Sequence, residues 1–196
     1  MNQLIKDLVR INEAEMKFES GKVYSYSEDR INHLQLDDIS KEILTKHGLA
    51  REMSPFVSFF PEEKGGFELF GDFIRRHALE GEELPDLEVF ENSYLFGQFN
   101  NWFLALGKDG EVLYIDNETF NTIYANKDFL TFLTILIKFN IMLEDYMEEN
   151  PDGDFWEDVV DENWVEEFED YIEELDYEAV RNDVFWDEVI EMIQDN

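Results

Sequence analysis

Cysteine is absent from the 196-residue chain. That excludes disulfides, thiolate metal ligands and a cysteine nucleophile, and it fits a reducing cytoplasm. Basic residues are scarce: 15 Lys and Arg face 48 Asp and Glu, a formal net charge of −33. Nucleic-acid binding draws its affinity from cations that neutralise phosphates, so no direct contact with DNA, RNA or an anionic membrane surface is expected. A long apolar run is also missing. The most apolar stretch, "FLTFLTILIKFNIML" at 129–143, is too short to span a bilayer and carries Lys138. It reads as a helix buried on most sides. The opening "MNQLIKDLVRINEAEM" has neither the apolar core nor the small-residue cleavage site of a signal peptide. A cytoplasmic location is expected.

Aromatic residues are plentiful. They make up 15% of the chain, eighteen of them Phe, within an apolar fraction of 44%. Disordered acidic tails are poor in aromatics, so this chain is expected to fold and bury a sizeable core. The charge is far beyond what solubility needs, and it opposes compaction while creating a long-range negative field. It is also uneven. From Glu144 to the end there are 23 acids and the single base Arg181, a net of −22; residues 1–143 hold the other 25 acids and 14 bases, a net of −11. A boundary is therefore placed near the turn signal Asn150-Pro151-Asp152-Gly153, giving a core of residues 1–149 and an acidic extension of residues 150–196.

Within the core, Leu4, Ile5, Leu8, Val9 and Ile11 fall at helical spacing. A second helix is expected from Asp38 to His47, capped by Asp37 or Asp38 and stopped by Gly48. "FVSFFP" (56–61) reads as a strand closed by Pro61, and "FELF" (67–70) as another. "LEVFE" (87–91), "YLFGQF" (94–99), "WFLAL" (102–106) and "EVLYI" (111–115) are short, β-rich and separated by turn residues. They predict an antiparallel meander, which "TFNTIYA" (119–125) extends. The helix beginning near Lys127 covers one face. Strands in the middle and helices at both ends make an α+β fold.

In the extension, Val165, Phe168, Tyr171, Ile172 and Leu175 recur at three- and four-residue steps after Asp161 or Asn163, either of which suits an N-cap. A break follows at Asp176-Tyr177. A second stripe comprises Phe185, Trp186, Val189, Ile190 and Ile193, introduced by Asn182 or Asp183. Two amphipathic helices are predicted, each with a carboxylate-lined outer face.

Four segments, in order, resemble the SUKH superfamily, specifically its fourth branch: "ISKEILTKHGLA" (39–50), "FVSFF" (56–60), "YLFGQFNNWFLALGKDGEVLYID" (94–116) and "ANKDFLTFLTILIKF" (125–139). They lie within residues 39–142, a span of roughly half the chain. Ala50 stands where the family usually has proline, Asn100-Asn101 replaces its more typical turn, and the acidic extension has no counterpart in its core. The resemblance implies a bacterial immunity protein. Such proteins bind and block the C-terminal domain of a polymorphic toxin, frequently a nuclease or a nucleic-acid deaminase. It implies no catalytic residue set.

The residues themselves offer no catalytic, cofactor or metal constellation. His33, His47 and His77 lie far apart in sequence and form no ligand pattern. The glycines of "EKGGFELFG" are not followed by Gly-Lys-Ser/Thr, so they mark turns and not a phosphate loop. "NPDGDFWED" (150–158) places its glycine out of register for a calcium loop. The outer carboxylates Glu166, Glu167, Asp170, Glu173 and Glu174 are the expected contacts with a basic toxin domain, and Trp156 and Trp186 are candidate apolar anchors that are equally at home in a core. A regulatory or scaffolding module binding a basic cellular protein is the alternative, and an enzyme acting on a cationic substrate is a third.

Overall fold

The computed structural model describes residues 2–18, 21–78, 87–151, 155, 160–181 and 184–194. Helix α1 (Gln3–Glu15) starts at Asn2, whose side chain accepts from the Leu4 amide, and it buries Ile5, Leu8 and Ile11. Strand β1 (Val23–Tyr24) and the short helix α2 (Glu28–Ile31) precede α3 (Asp38–Glu42), which runs straight into a π-helical turn, Ile43–His47. The expected cap and stop are both in place. The Asp37 carboxylate accepts from the amides of Ile39 and Ser40, and Gly48 ends the element at φ 72°. A Cβ there would lie 2.8 Å from the Val23 side chain and 2.9 Å from the Tyr24 carbonyl oxygen, so only glycine fits. Strand β2 (Leu49–Ala50) then pairs antiparallel with β1.

The main sheet is antiparallel and has seven strands: β3 (Glu52–Met53), β4 (Val57–Phe59), β5 (Glu68–Leu69), β6 (Tyr94–Phe99), β7 (Trp102–Leu106), β8 (Val112–Ile115) and β9 (Thr122–Asn126). The spatial path is β3-β4-β6-β7-β8-β9, with β5 also on β6. Strands β6 to β9 form the expected meander. Asn100 and Asn101, both at positive φ, turn the chain between the paired residues Phe99 and Trp102. Such two-residue turns match the twist of a hairpin, which accounts for the Asn-Asn pair.

Alternation along the strands gives the sheet two apolar faces. Phe96, Leu104, Leu106, Tyr114 and Ala125 face the larger core, which is completed by α1, α5 (Phe129–Glu149), α6 (Glu162–Leu175) and α7 (Phe185–Gln194). Leu95, Ala105 and Ile115 face a smaller core built on Phe70 and Ile74 of α4 (Phe70–His77). Helices thus flank an antiparallel sheet, and the fold is α+β.

Two local expectations change. "LEVFE" is a 3-10 turn, Leu87–Phe90, because Leu87 and Phe90, three apart, turn together onto the smaller core while Val89 points to solvent. "FELF" is a strand for two residues only; Phe70 opens α4, whose Phe70, Phe73 and Ile74 have helical spacing. The predicted caps Asn182 and Asp183, and Asp152-Gly153 of the turn, lie outside the described residues. The acidic extension is continuous with the rest: one hydrophobic cluster runs from Ile5 to Ile193. No helix among the described residues is long and apolar enough to cross a membrane.

Candidate partner-binding face

Helix α6 is held by its inner face. Asp161 caps it, accepting from the Asn163 amide at 2.8 Å. Val165, Phe168 and Ile172 are buried, and the Phe168 ring lies 5.2 Å from Phe139 of α5 and 5.8 Å from Trp186 of α7. At the C-terminal end, Asp176 is buried where α6 breaks, at the junction with β9. Its carboxylate accepts from the Lys127 amide at 2.7 Å, the Asn126 side-chain amide at 3.1 Å and the Tyr124 hydroxyl at 3.0 Å. Asn126 in turn accepts from the Trp186 indole at 2.8 Å. Burial, and then the bond to Asp176, push the Tyr124 hydroxyl up, so it stays a donor. This polar clasp fastens both tail helices to the edge strand.

The outer face of α6 carries the charge. Glu166, Asp170 and Glu173 point away from the buried stripe, with Glu162 and Glu169 on one flank and Glu167 and Glu174 on the other; all seven are exposed. Glu162/Glu166, Glu166/Asp170, Glu169/Glu173 and Asp170/Glu174 are four residues apart; Glu166/Glu169, Glu167/Asp170 and Asp170/Glu173 are three apart. Like charges at these spacings repel by about 0.2–0.5 kcal/mol per pair, so the arrangement costs roughly 1–4 kcal/mol at low salt. Toward α7 the field continues. Glu188 has its carboxyl raised by partial burial and then by Glu191 and Asp187.

The predicted contact residues separate on this geometry. Glu166, Asp170, Glu173 and Glu174 share the exposed face, and none makes an ion pair among the described residues. Glu167 is exposed but engaged: the Lys138 ammonium, on α5, lies 2.9 Å from its carboxylate and 5.6 Å from the Tyr171 ring centroid. It docks α6 to α5. Trp186 is corrected outright. It is fully buried, bonded to Asn126 and packed among Phe132, Phe168 and Phe185, the last two edge-on, so it cannot anchor a partner. Trp156 lies outside the described residues. Sequence reasoning missed Glu162 and Glu169, which belong to the same face by helical periodicity. It also missed Asp176, for which the only local signal was its place at the helix break.

The histidines stay apart in role. His33 and His77 bond main-chain carbonyls four residues upstream through Nδ1, and His47 closes the π turn. Among the described residues no group of three or more His, Asp and Glu side chains is arranged to hold a metal ion. No protein-family model, curated protein or solved structure matches the chain.

Proposed function

We propose that this chain is a non-enzymatic cytoplasmic immunity protein that captures a basic toxin domain, a nuclease or a nucleic-acid deaminase, on the outer face of α6. One observation carries the reading: Glu162, Glu166, Glu169, Asp170, Glu173 and Glu174 stand on one exposed surface with no basic partner among the described residues. Self-repulsion of this size is a cost that solubility does not require, and a cationic surface converts it into attraction. A protein that grips phosphates must present a basic groove, and carboxylates can occupy that groove in place of phosphates. The resemblance of residues 39–50, 56–60, 94–116 and 125–139 to the SUKH superfamily supports the same role.

The experiment is co-expression with the reading frame next to the gene, scored for toxicity of that frame alone, for rescue of growth and for co-purification. Stopped-flow association of the purified pair then tests the face. Glu166→Gln, Asp170→Asn and Glu173→Gln together should slow association about tenfold or more at low salt and leave the high-salt rate nearly unchanged. Equal rates for both proteins at low salt would remove α6 from the mechanism. A binder of a basic cellular protein with no toxin neighbour would show the same salt dependence without the rescue.

A further inference from the structure

A second surface lies on the opposite side of α5 from α6. A groove of about 860 Å³ runs between the C-terminal half of α1, the β3–β4 hairpin and the second half of α5. Its walls are fixed: Arg10 of α1 pairs with Glu144 of α5 at 2.8 Å, and Asn140 of α5 donates to the Ser54 carbonyl at 2.7 Å while accepting from the Ser54 amide. Its lining mixes exposed apolar side chains with a charged rim. Of the six large apolar side chains exposed among the described residues, three line this one groove: Phe18 (68% exposed), Phe56 (49%) and Met147 (40%). Exposed apolar side chains gathered in a preformed groove are the usual mark of a contact site, and Met and Phe adapt to varied partners.

The rim identifies the occupant. Glu13, Glu15, Glu52, Glu144 and Glu148 face it, with Arg10 and Lys17; Arg10 pairs with Glu144 and Arg51 with Glu52, which leaves Glu13, Glu15 and Glu148 against Lys17, still a net negative rim. A second copy of the chain, at a net −33, would be repelled from such a rim. From Asn140 to Glu148 the α5 wall rises about 12 Å, a little over two turns, which matches anchors at i, i+4 and i+7 on a docked helix. We infer that this groove receives a basic amphipathic helical segment of a partner protein, with apolar anchors seated on Phe18 and Met147 and Lys or Arg side chains meeting Glu13 and Glu148. The inference does not depend on α6 being a contact face.

The test uses the full chain and a fluorescein-labelled 14-residue amphipathic Leu/Lys peptide, read by anisotropy in dilute buffer. The combined Phe18→Ser and Met147→Ser variant should bind at least tenfold more weakly, since both side chains would be central anchors. The Glu166→Gln, Asp170→Asn, Glu173→Gln variant should stay within threefold of the parent. A Lys-only peptide of equal charge should bind at least tenfold more weakly than the Leu/Lys peptide. Three results would overturn the inference: absence of peptide binding, equal binding of the two peptides, or a loss confined to the α6 variant. The last would place peptide binding on α6 and leave the proposed function standing. Sedimentation supplies the remaining outcome: a dimer abolished by the Phe18→Ser, Met147→Ser change would show that the groove serves self-association instead. Circular dichroism of each variant verifies that these surface changes leave the fold intact.

Discussion

Replacing Asp176 with alanine removes the acceptor on which three separate donors converge. The Lys127 amide, the Asn126 side-chain amide and the Tyr124 hydroxyl all lose their carboxylate partner in a buried or part-buried setting. Bonds to a charged group contribute about 1.5–3 kcal/mol each, and a buried donor left unmet costs about 1–3 kcal/mol. The three share one network, so their losses do not simply add. Asp176→Ala should therefore cost roughly 3–5 kcal/mol, a third or more of a typical domain's stability. At this chain length that is a fall in Tm of roughly 6–20 °C. Urea unfolding followed by tryptophan fluorescence measures it, because the indole of Trp186 sits one bond further along the same network. Hydrogen exchange should quicken first in α6 and α7, the two elements the clasp fastens. A loss below about 1 kcal/mol, with unchanged exchange in both helices, would refute the reasoning. It would mean that water replaces the carboxylate without penalty.

Truncating Trp186 to alanine should cost about 3–5 kcal/mol, measured by the same urea titration, since it empties a fully buried site between α5, α6 and strand β9. The Glu166→Gln, Asp170→Asn, Glu173→Gln variant touches every like-charged pair on α6 and should gain roughly 1–3 kcal/mol at low salt, shrinking as salt is added; thermal melts at two ionic strengths check it. Glu188 titrates above the ordinary Glu value in the folded chain because of burial and then Glu191 and Asp187, with the Tyr114 ring nearby. Its ionisation therefore costs stability above the folded pKa, and the cost is relieved as pH falls through that pKa toward the unfolded value. Glu188→Gln should raise Tm at pH 7 and give a smaller gain near pH 4. Gly97→Ala should lower Tm measurably, because the added Cβ would fall 2.5 Å from the Ser58 carbonyl oxygen in the paired strand.

Local chemistry was legible in the sequence wherever neighbours in the chain decide the outcome. Asp37 and Gly48 mark the ends of their element because capping depends on residues two or three away. The meander could be read from "YLFGQF" to "EVLYI" because each turn residue sits beside the strand it ends. "LEVFE" could not, since five residues carry too little periodicity to separate a strand from a turn of helix. The outer face of α6 was legible as a charge pattern, though five names were too few and one of them, Glu167, is already paired with Lys138. Glu167 meets Lys138 across 29 residues of chain, and Asp176 meets Tyr124, Asn126 and Lys127 across about 50. No local pattern encodes contacts of that separation. Trp186 looked like an anchor for the same reason: an aromatic on an amphipathic stripe reveals which side of its helix is greasy, and only the tertiary fold reveals what lies against it.

The run of touching rings through Phe96, Phe132, Trp186, Phe168 and Phe139 has a practical corollary. The acidic segment cannot be treated as a detachable flag, because its underside is a wall of the hydrophobic interior. Cutting the gene after Glu149 to ask what the charge does would lay that wall bare to water and yield a sticky remnant. Recoding individual codons is the way to strip the anionic coat while leaving the building upright.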